Sequence, residues 1–170
     1  FWDSEISKGN IIDKKSTIKL MTYNIYGYSM IHRKRTAALI NLIENSGAHI
    51  ITLQEAKPWF LRKLLNRPKI KFAYKHSKLD RSYRAKGGLF LLSQFPIRKS
   101  YYVNQPGRKN KLMLLAKVVI DDEIVPVVNV HLESPLWSKS VRKRQLRKVF
   151  QKIRWYSNAI VMGDFNFGDS

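Results

Sequence analysis

Five residues stand where an apolar run gives way to a polar end: Asn24 in TIKLMTYNI, Glu55 in AHIITLQE, His131 in IVPVVNVHLES, and Asp164 with Asn166 in NAIVMGDFN. They supply two carboxylates, two amides and an imidazole, and no cysteine occurs anywhere in the chain, so a metal here would take oxygen and nitrogen ligands. That donor set suits Mg²⁺, a hard ion that prefers oxygen and keeps part of its water shell. Taken singly, an acid at a strand end is more often a turn former or a helix cap than a ligand. The set carries the weight. In layered α/β domains the side chains at the ends of neighbouring strands open into one crevice.

Such convergence requires strands that run to a common rim. TIKLMTYNI (17–25) alternates and is rich in β-formers, RTAALINLIENSG (35–47) has helical periodicity and closes on Gly47, and AHIITLQE (48–55) is again a strand. KPWFLRKLLNRP (57–68) predicts a short helix with one Pro near its start and another beyond its end, and GGLFLLSQFPI (87–97) predicts an apolar strand after a glycine pair. KLMLLAKVVI (111–120) and IVPVVNVHLES (124–134), joined by the acidic turn DDE, predict a hairpin. A basic helix follows, with Leu146, Val149, Phe150 and Ile153 spaced to face a core, and NAIVMGDFN (158–166) supplies the last strand. There is no internal repeat; residues 1–16 read as a polar leader and 17–170 as one domain. Of the other histidines, His49 falls in a strand-like run and reads as packed, whereas His32 and His76 read as exposed loop residues.

The charge points to an anionic partner. Against 12 Asp and Glu there are 32 Lys and Arg, a formal +20 in 170 residues. The excess gathers in RSYRAK, GRKNK and residues 138–155, where eight Lys or Arg occur with no acid. A helix bearing Arg142, Lys143, Arg147 and Lys148 would hold a nucleic-acid backbone, although a solvated outer face reads the same way. No apolar run reaches the ~18 residues of a membrane-spanning helix, and nothing assigns a compartment.

Together these motifs resemble the endonuclease/exonuclease/phosphatase superfamily. MTYNI, TLQE, NVHLES and GDFN occur in its order, and GGLFLLSQFPI is similar to a further shared strand. The resemblance implies a DNase-I-like four-layer α/β sandwich, two packed mixed β-sheets flanked by helices. It also implies that Glu55, helped by Asn24, holds Mg²⁺ or Mn²⁺, that Asp164 orients and deprotonates the attacking water, and that His131 and Asn166 bind the scissile phosphate. Hydrolysis of a phosphodiester needs charge neutralised on its oxygens, a nucleophile in line and a stabilised leaving oxygen, which a metal and fixed donors supply.

The branch is read from smaller signs. HLES resembles the version in 5′-tyrosyl-DNA phosphodiesterases and their relatives; strand alternation would turn Glu133 the same way as His131, as a ligand or an orienting group, while a surface hairpin acid is the other reading. QEAK, with Lys57, partly fits abasic-site endonucleases. Inositol-polyphosphate phosphatases resemble the GDFN region, but they carry an Arg just after it where Phe167 and Gly168 stand here. The superfamily also closes on a Ser-Asp-His motif beyond GDFN, whereas this sequence ends at Ser170. The expectation is therefore a domain incomplete at its C-terminus: a fragment, one part of a site completed by a second chain, or a repurposed fold. Two functions follow as alternatives. One is a Mg²⁺-dependent phosphodiesterase on DNA or RNA; the other is a basic, non-catalytic scaffold in a nucleoprotein, with a lipid-headgroup or inositol phosphodiesterase less favoured.

Overall fold

The computed structural model describes residues 17–26, 32–79, 88–107 and 111–168. The polar leader, the segment RSYRAK and positions 108–110 of GRKNK lie outside the described residues.

Strands β1 (Leu20–Asn24), β2 (Ile50–Ala56), β3 (Lys75–His76) and β4 (Gly88–Ser93) form one sheet in the order β1-β2-β4-β3. Strands β5 (Ile97–Asn104), β6 (Leu112–Ile120), β7 (Glu123–His131) and β8 (Ile160–Asp164) form a second in the order β5-β6-β7-β8. Each sheet holds one parallel pair, β1 with β2 and β7 with β8. Parallel neighbours need a crossover, and helices α1 (His32–Asn45) and α4 (Lys139–Ile153) provide the two. Two further helices, α2 (Pro58–Leu65) and α3 (Pro68–Ala73), follow β2.

The layers follow from alternation along the strands. In β2, Ile51 and Leu53 turn to one side and pack with Leu39, Ile43, Phe60, Leu64 and Ile70 of α1 to α3, while Ile50 turns to the other and meets Leu114, Ala116 and Val127 of the second sheet. In β6, Met113 and Leu115 face outward and pack with Val149 and Ile153 of α4. The order is thus helices, sheet, sheet, helix, the expected four-layer sandwich. Each buried Leu or Ile removes apolar surface worth roughly 1.5–3 kcal/mol from water.

Most elements lie where the sequence puts them, including the β6–β7 hairpin, whose turn residues Asp121 and Asp122 both have positive φ as a tight two-residue turn demands. Four expectations change. Residues after the β4 strand do not merely finish it: β5 begins at Ile97 and joins the other sheet. The second Pro of KPWFLRKLLNRP opens α3 instead of only ending α2. The histidines differ too: His32 opens α1, His76 is exposed but lies in the short strand β3, and His49 is half-buried, its Nδ1 accepting the Lys19 backbone N–H at 2.9 Å. The core-facing side of α4 is Arg142, Gln145, Val149 and Ile153, with Phe150 exposed.

Candidate active site

The C-terminal ends of β1, β2, β7 and β8 meet at one rim, and they carry Asn24, Glu55, His131 and Asp164. Asn24 ends β1, and its Oδ1 accepts the backbone N–H of Tyr26 at 2.9 Å. A backbone N–H can only donate, so this bond fixes the amide orientation and turns Nδ2 toward the acids. Nδ2 donates to Glu55 Oε1 at 3.1 Å and to Asp164 Oδ2 at 2.8 Å. Asn24 therefore bridges the two carboxylates as a shared donor. Its Oδ1, bonded once by the Tyr26 N–H, keeps a second lone pair, so the expected metal role of Asn24 alongside Glu55 stays compatible with these bonds.

Glu55 reaches the rim through a break in the ladder. The β2–β4 register shifts between Leu53 and Ala56, and Glu55 adopts φ +53°. A bulge of this kind re-aims one side chain while the strand continues. His131 and Asp164 are direct partners across the parallel β7–β8 pair. Gly163 lets these strands approach, since a Cβ there would collide with the backbone of Val130. His131 Nε2 stands 3.9 Å from Glu55 Oε1 and 3.7 Å from Asp164 Oδ2, too far for hydrogen bonds. Burial, and then the Lys111 cation, push the imidazole pKa below 6.5 against the opposing pull of Asp164, Glu55 and Glu133, so the ring is neutral at pH 7. Beyond β8, Asn166 has φ +50°; its backbone N–H donates to Asp164 Oδ1 at 3.0 Å and its Nδ2 to the Leu132 carbonyl at 3.0 Å. Ser134, Asp164, Asn166 and Phe167 line a cavity beside these groups.

Two of the expected residues are buried in the fold. Strand β7 ends at His131, so alternation no longer governs Glu133, which is 3% exposed and points toward Gly107, where an added Cβ would meet its Oε2 at 2.6 Å. It is thus not a surface hairpin acid, and its charge still acts on the His131 imidazole. Arg142 is 7% exposed, and its Nη1 donates to the carbonyls of Glu133 and Pro135 at 3.0 and 2.7 Å, which turns it away from the exposed side of α4. Lys57 precedes α2, where its carbonyl accepts the Leu61 N–H. By contrast, Lys143 and Arg147 are exposed and Lys148 is half-buried.

Sequence reasoning misses a polar layer beneath the rim. Gln54 Nε2 donates to Asn129 Oδ1 at 2.8 Å and to Thr22 Oγ1 at 3.1 Å, and Asn129 Nδ2 donates to the carbonyls of Leu53 and Phe90. Gln54 and Asn129 are 1% and 0% exposed, so this satisfied network ties one sheet to the other directly under the site. Its one sequence signal is an amide within each of two apolar runs.

Among the described residues no three His, Asp or Glu side chains make a closed ligand cage. The arrangement still fits a hard divalent ion: two partly buried carboxylates, gathered by one amide, offer oxygen donors of the kind Mg²⁺ uses one or two at a time while water or substrate fills the rest.

Across solved structures, D. rerio TDP2 complexed with a single strand DNA product shares the fold with a TM-score of 0.75 and 22% identity over 89% of this chain and 62% of that one. Truncated Caenorhabditis elegans TDP2 gives 0.74 and 22% over 89% and 63%, and sphingomyelinase C from Streptomyces griseocarneus gives 0.71 and 18% over 89% and 65%. The chain thus spans less than two thirds of the length of these structures. No curated protein matches it by sequence. The sequence pattern of the Endonuclease/Exonuclease/phosphatase family matches residues 21–169, which takes in every strand end that builds the rim. With a match over that much of its length, the chain belongs to the endonuclease/exonuclease/phosphatase family.

Proposed function

We propose that this chain carries the hydrolytic site of a Mg²⁺-dependent phosphodiesterase acting on nucleic acid. The observation that supports it most is the single amide of Asn24 holding Glu55 and Asp164 together beneath a neutral His131. Glu55 would hold the ion, with Asn24 fixing its carboxylate. Mg²⁺, when bound, supplies charge neutralisation at the phosphate oxygens. Asp164 takes the proton of the attacking water; its other oxygen is steadied by the Asn166 N–H. Neutral His131 donates from Nε2 to a phosphate oxygen, and Asn166 retains a second Nδ2 hydrogen for the same purpose. The formal +20 charge and the exposed Lys143 and Arg147 support a polyanionic substrate, and a protein of the same fold, D. rerio TDP2, was solved with single-stranded DNA.

A second reading rests on that same charge: a basic scaffold that binds nucleic acid without cleaving it. A labelled single strand incubated with the protein separates the two. Hydrolysis that requires Mg²⁺ or Mn²⁺, stops with a chelator and is lost in Glu55→Gln supports the enzyme. Tight binding with no metal-dependent product supports the scaffold.

A further inference from the structure

The segment that joins β7 to α4 has little regular structure before the short 3-10 turn at Leu136–Ser138, yet side chains from three other places hold its backbone. Lys111 Nζ donates to the carbonyls of His131 and Leu132, both at 3.1 Å. Asn166 Nδ2 donates to the Leu132 carbonyl at 3.0 Å. Arg142 Nη1 spans the carbonyls of Glu133 and Pro135, and Gln145 Oε1 accepts the Glu133 N–H at 3.0 Å. Gln145 also donates to the Pro106 carbonyl at 2.8 Å, so the bracing reaches the end of β5. Carbonyls 131, 132, 133 and 135 are all bonded by side chains, and Gln145 is fully buried.

This pattern is unusual for a connecting loop, since loops ordinarily give their backbone groups to water. Two of the cations come from stretches expected to face phosphate, GRKNK and the basic helix, but here both turn inward onto carbonyl oxygens. A charge-assisted bond to a backbone carbonyl is stronger than a neutral one, and such bonds on four carbonyls within five residues leave the turn one geometry. The turn begins at the imidazole of the site. A ring that must meet a phosphate oxygen within hydrogen-bond distance depends on the backbone that carries it, and displacement of about 1 Å costs on the order of 10²-fold in rate.

We infer that Arg142, Gln145 and Lys111 are positioning residues that lock the turn after β7 and thereby hold His131 in its working orientation. The inference rests on the phosphodiesterase reading for its kinetic consequence, though not for its structural one.

The test pairs kinetics with a signal independent of turnover. Arg142→Met keeps the aliphatic stem and removes the donors. At matched folded fraction it should lower kcat at least tenfold, leave KM and Mn²⁺ affinity within twofold, and recover in Arg142→Lys. In a His131→Ala background the same change should add less than twofold, because residues that act through one group lose their effects together. In the metal-free protein, the imidazole NMR signals of His131 should be sharp in the wild type and broadened in the variant. If Arg142→Met does not fold, Lys111→Met approaches the same turn from the half-buried side and carries the same expectations. A raised KM with kcat intact would make these cations substrate contacts and overturn the inference, as would full additivity with His131→Ala or unchanged imidazole signals. A wild type that hydrolyses nothing overturns the phosphodiesterase reading alone, since the NMR arm still decides the positioning role.

Discussion

Asn24 Nδ2 lies 2.8 Å from Asp164 Oδ2, a hydrogen bond between residues 140 apart in sequence that joins the first strand of one sheet to the last strand of the other. The same nitrogen holds Glu55, so one amide sets the spacing of both carboxylates. Replacing it by a third acid tests that relationship. In Asn24→Asp the donor is lost and negative charge accumulates, so the metal-free protein should lose roughly 1–3 kcal/mol of stability in urea. Saturating Mg²⁺ should then raise its melting temperature by more than it raises that of the wild type, because the ion neutralises the added charge. Equal melting behaviour in both proteins, with and without the ion, would remove Asn24 from the site.

His131 gives a pH dependence with a definite sign. Burial and Lys111 hold its folded pKa below 6.5, so between that pKa and 6.5 the unfolded chain binds more protons than the native one. Stability then rises with pH through this interval, is fully present above about 6.5 and is lost as the pH falls toward the folded value. Urea midpoints of the metal-free protein from pH 5 to 8 should show the rise. In His131→Gln that part of the slope should vanish, and a slope unchanged by the substitution would assign it to other groups.

The exposed face of α4 makes a separate prediction about binding. With Arg142 withdrawn into the fold, Lys143 and Arg147 are exposed and Lys148 is half-buried. Changing the three to Gln should flatten the dependence of log affinity on log salt by up to ~0.9 for each duplex phosphate left without its cation, or ~0.7 on a single strand. An unaltered slope would show that nucleic acid approaches by another surface.

Much of this architecture is legible in the sequence because its strands are apolar runs that stop abruptly on polar residues. Asn24, Glu55, His131 and Asp164 stand at such stops; parallel pairing aligns the stops within each sheet, while the packing of the two sheets and the bulge at Glu55 bring them to one rim. The elements that escape sequence reading lack that contrast. Strand β5, IRKSYYVN, is an edge strand with no fully buried residue, and α3 buries only Ile70. The phase of α4 is hidden because Arg142 and Gln145 occupy core-facing positions, where a search for apolar periodicity finds Phe150 instead. Glu133 lies past the end of β7, where alternation no longer sets the direction of a side chain. The direction of the Asn24 amide depends on the Tyr26 N–H, a three-dimensional fact with no trace in residue spacing.

The central claim is that Asp164 activates water for attack on a nucleic-acid phosphodiester, and Asp164→Asn tests it most directly. Asn preserves the shape of the side chain and an oxygen that can still accept from Asn24, but it is not a base. Single-turnover cleavage of a labelled strand, affinity for that strand and the melting temperature should be measured on wild type and variant together with Mg²⁺ present. The predicted result is a cleavage rate lower by ~10² or more, affinity held or tightened as negative charge leaves the phosphate site, and a melting temperature close to that of the wild type. A rate per folded molecule near normal, or a loss wholly accounted for by unfolding, would contradict it.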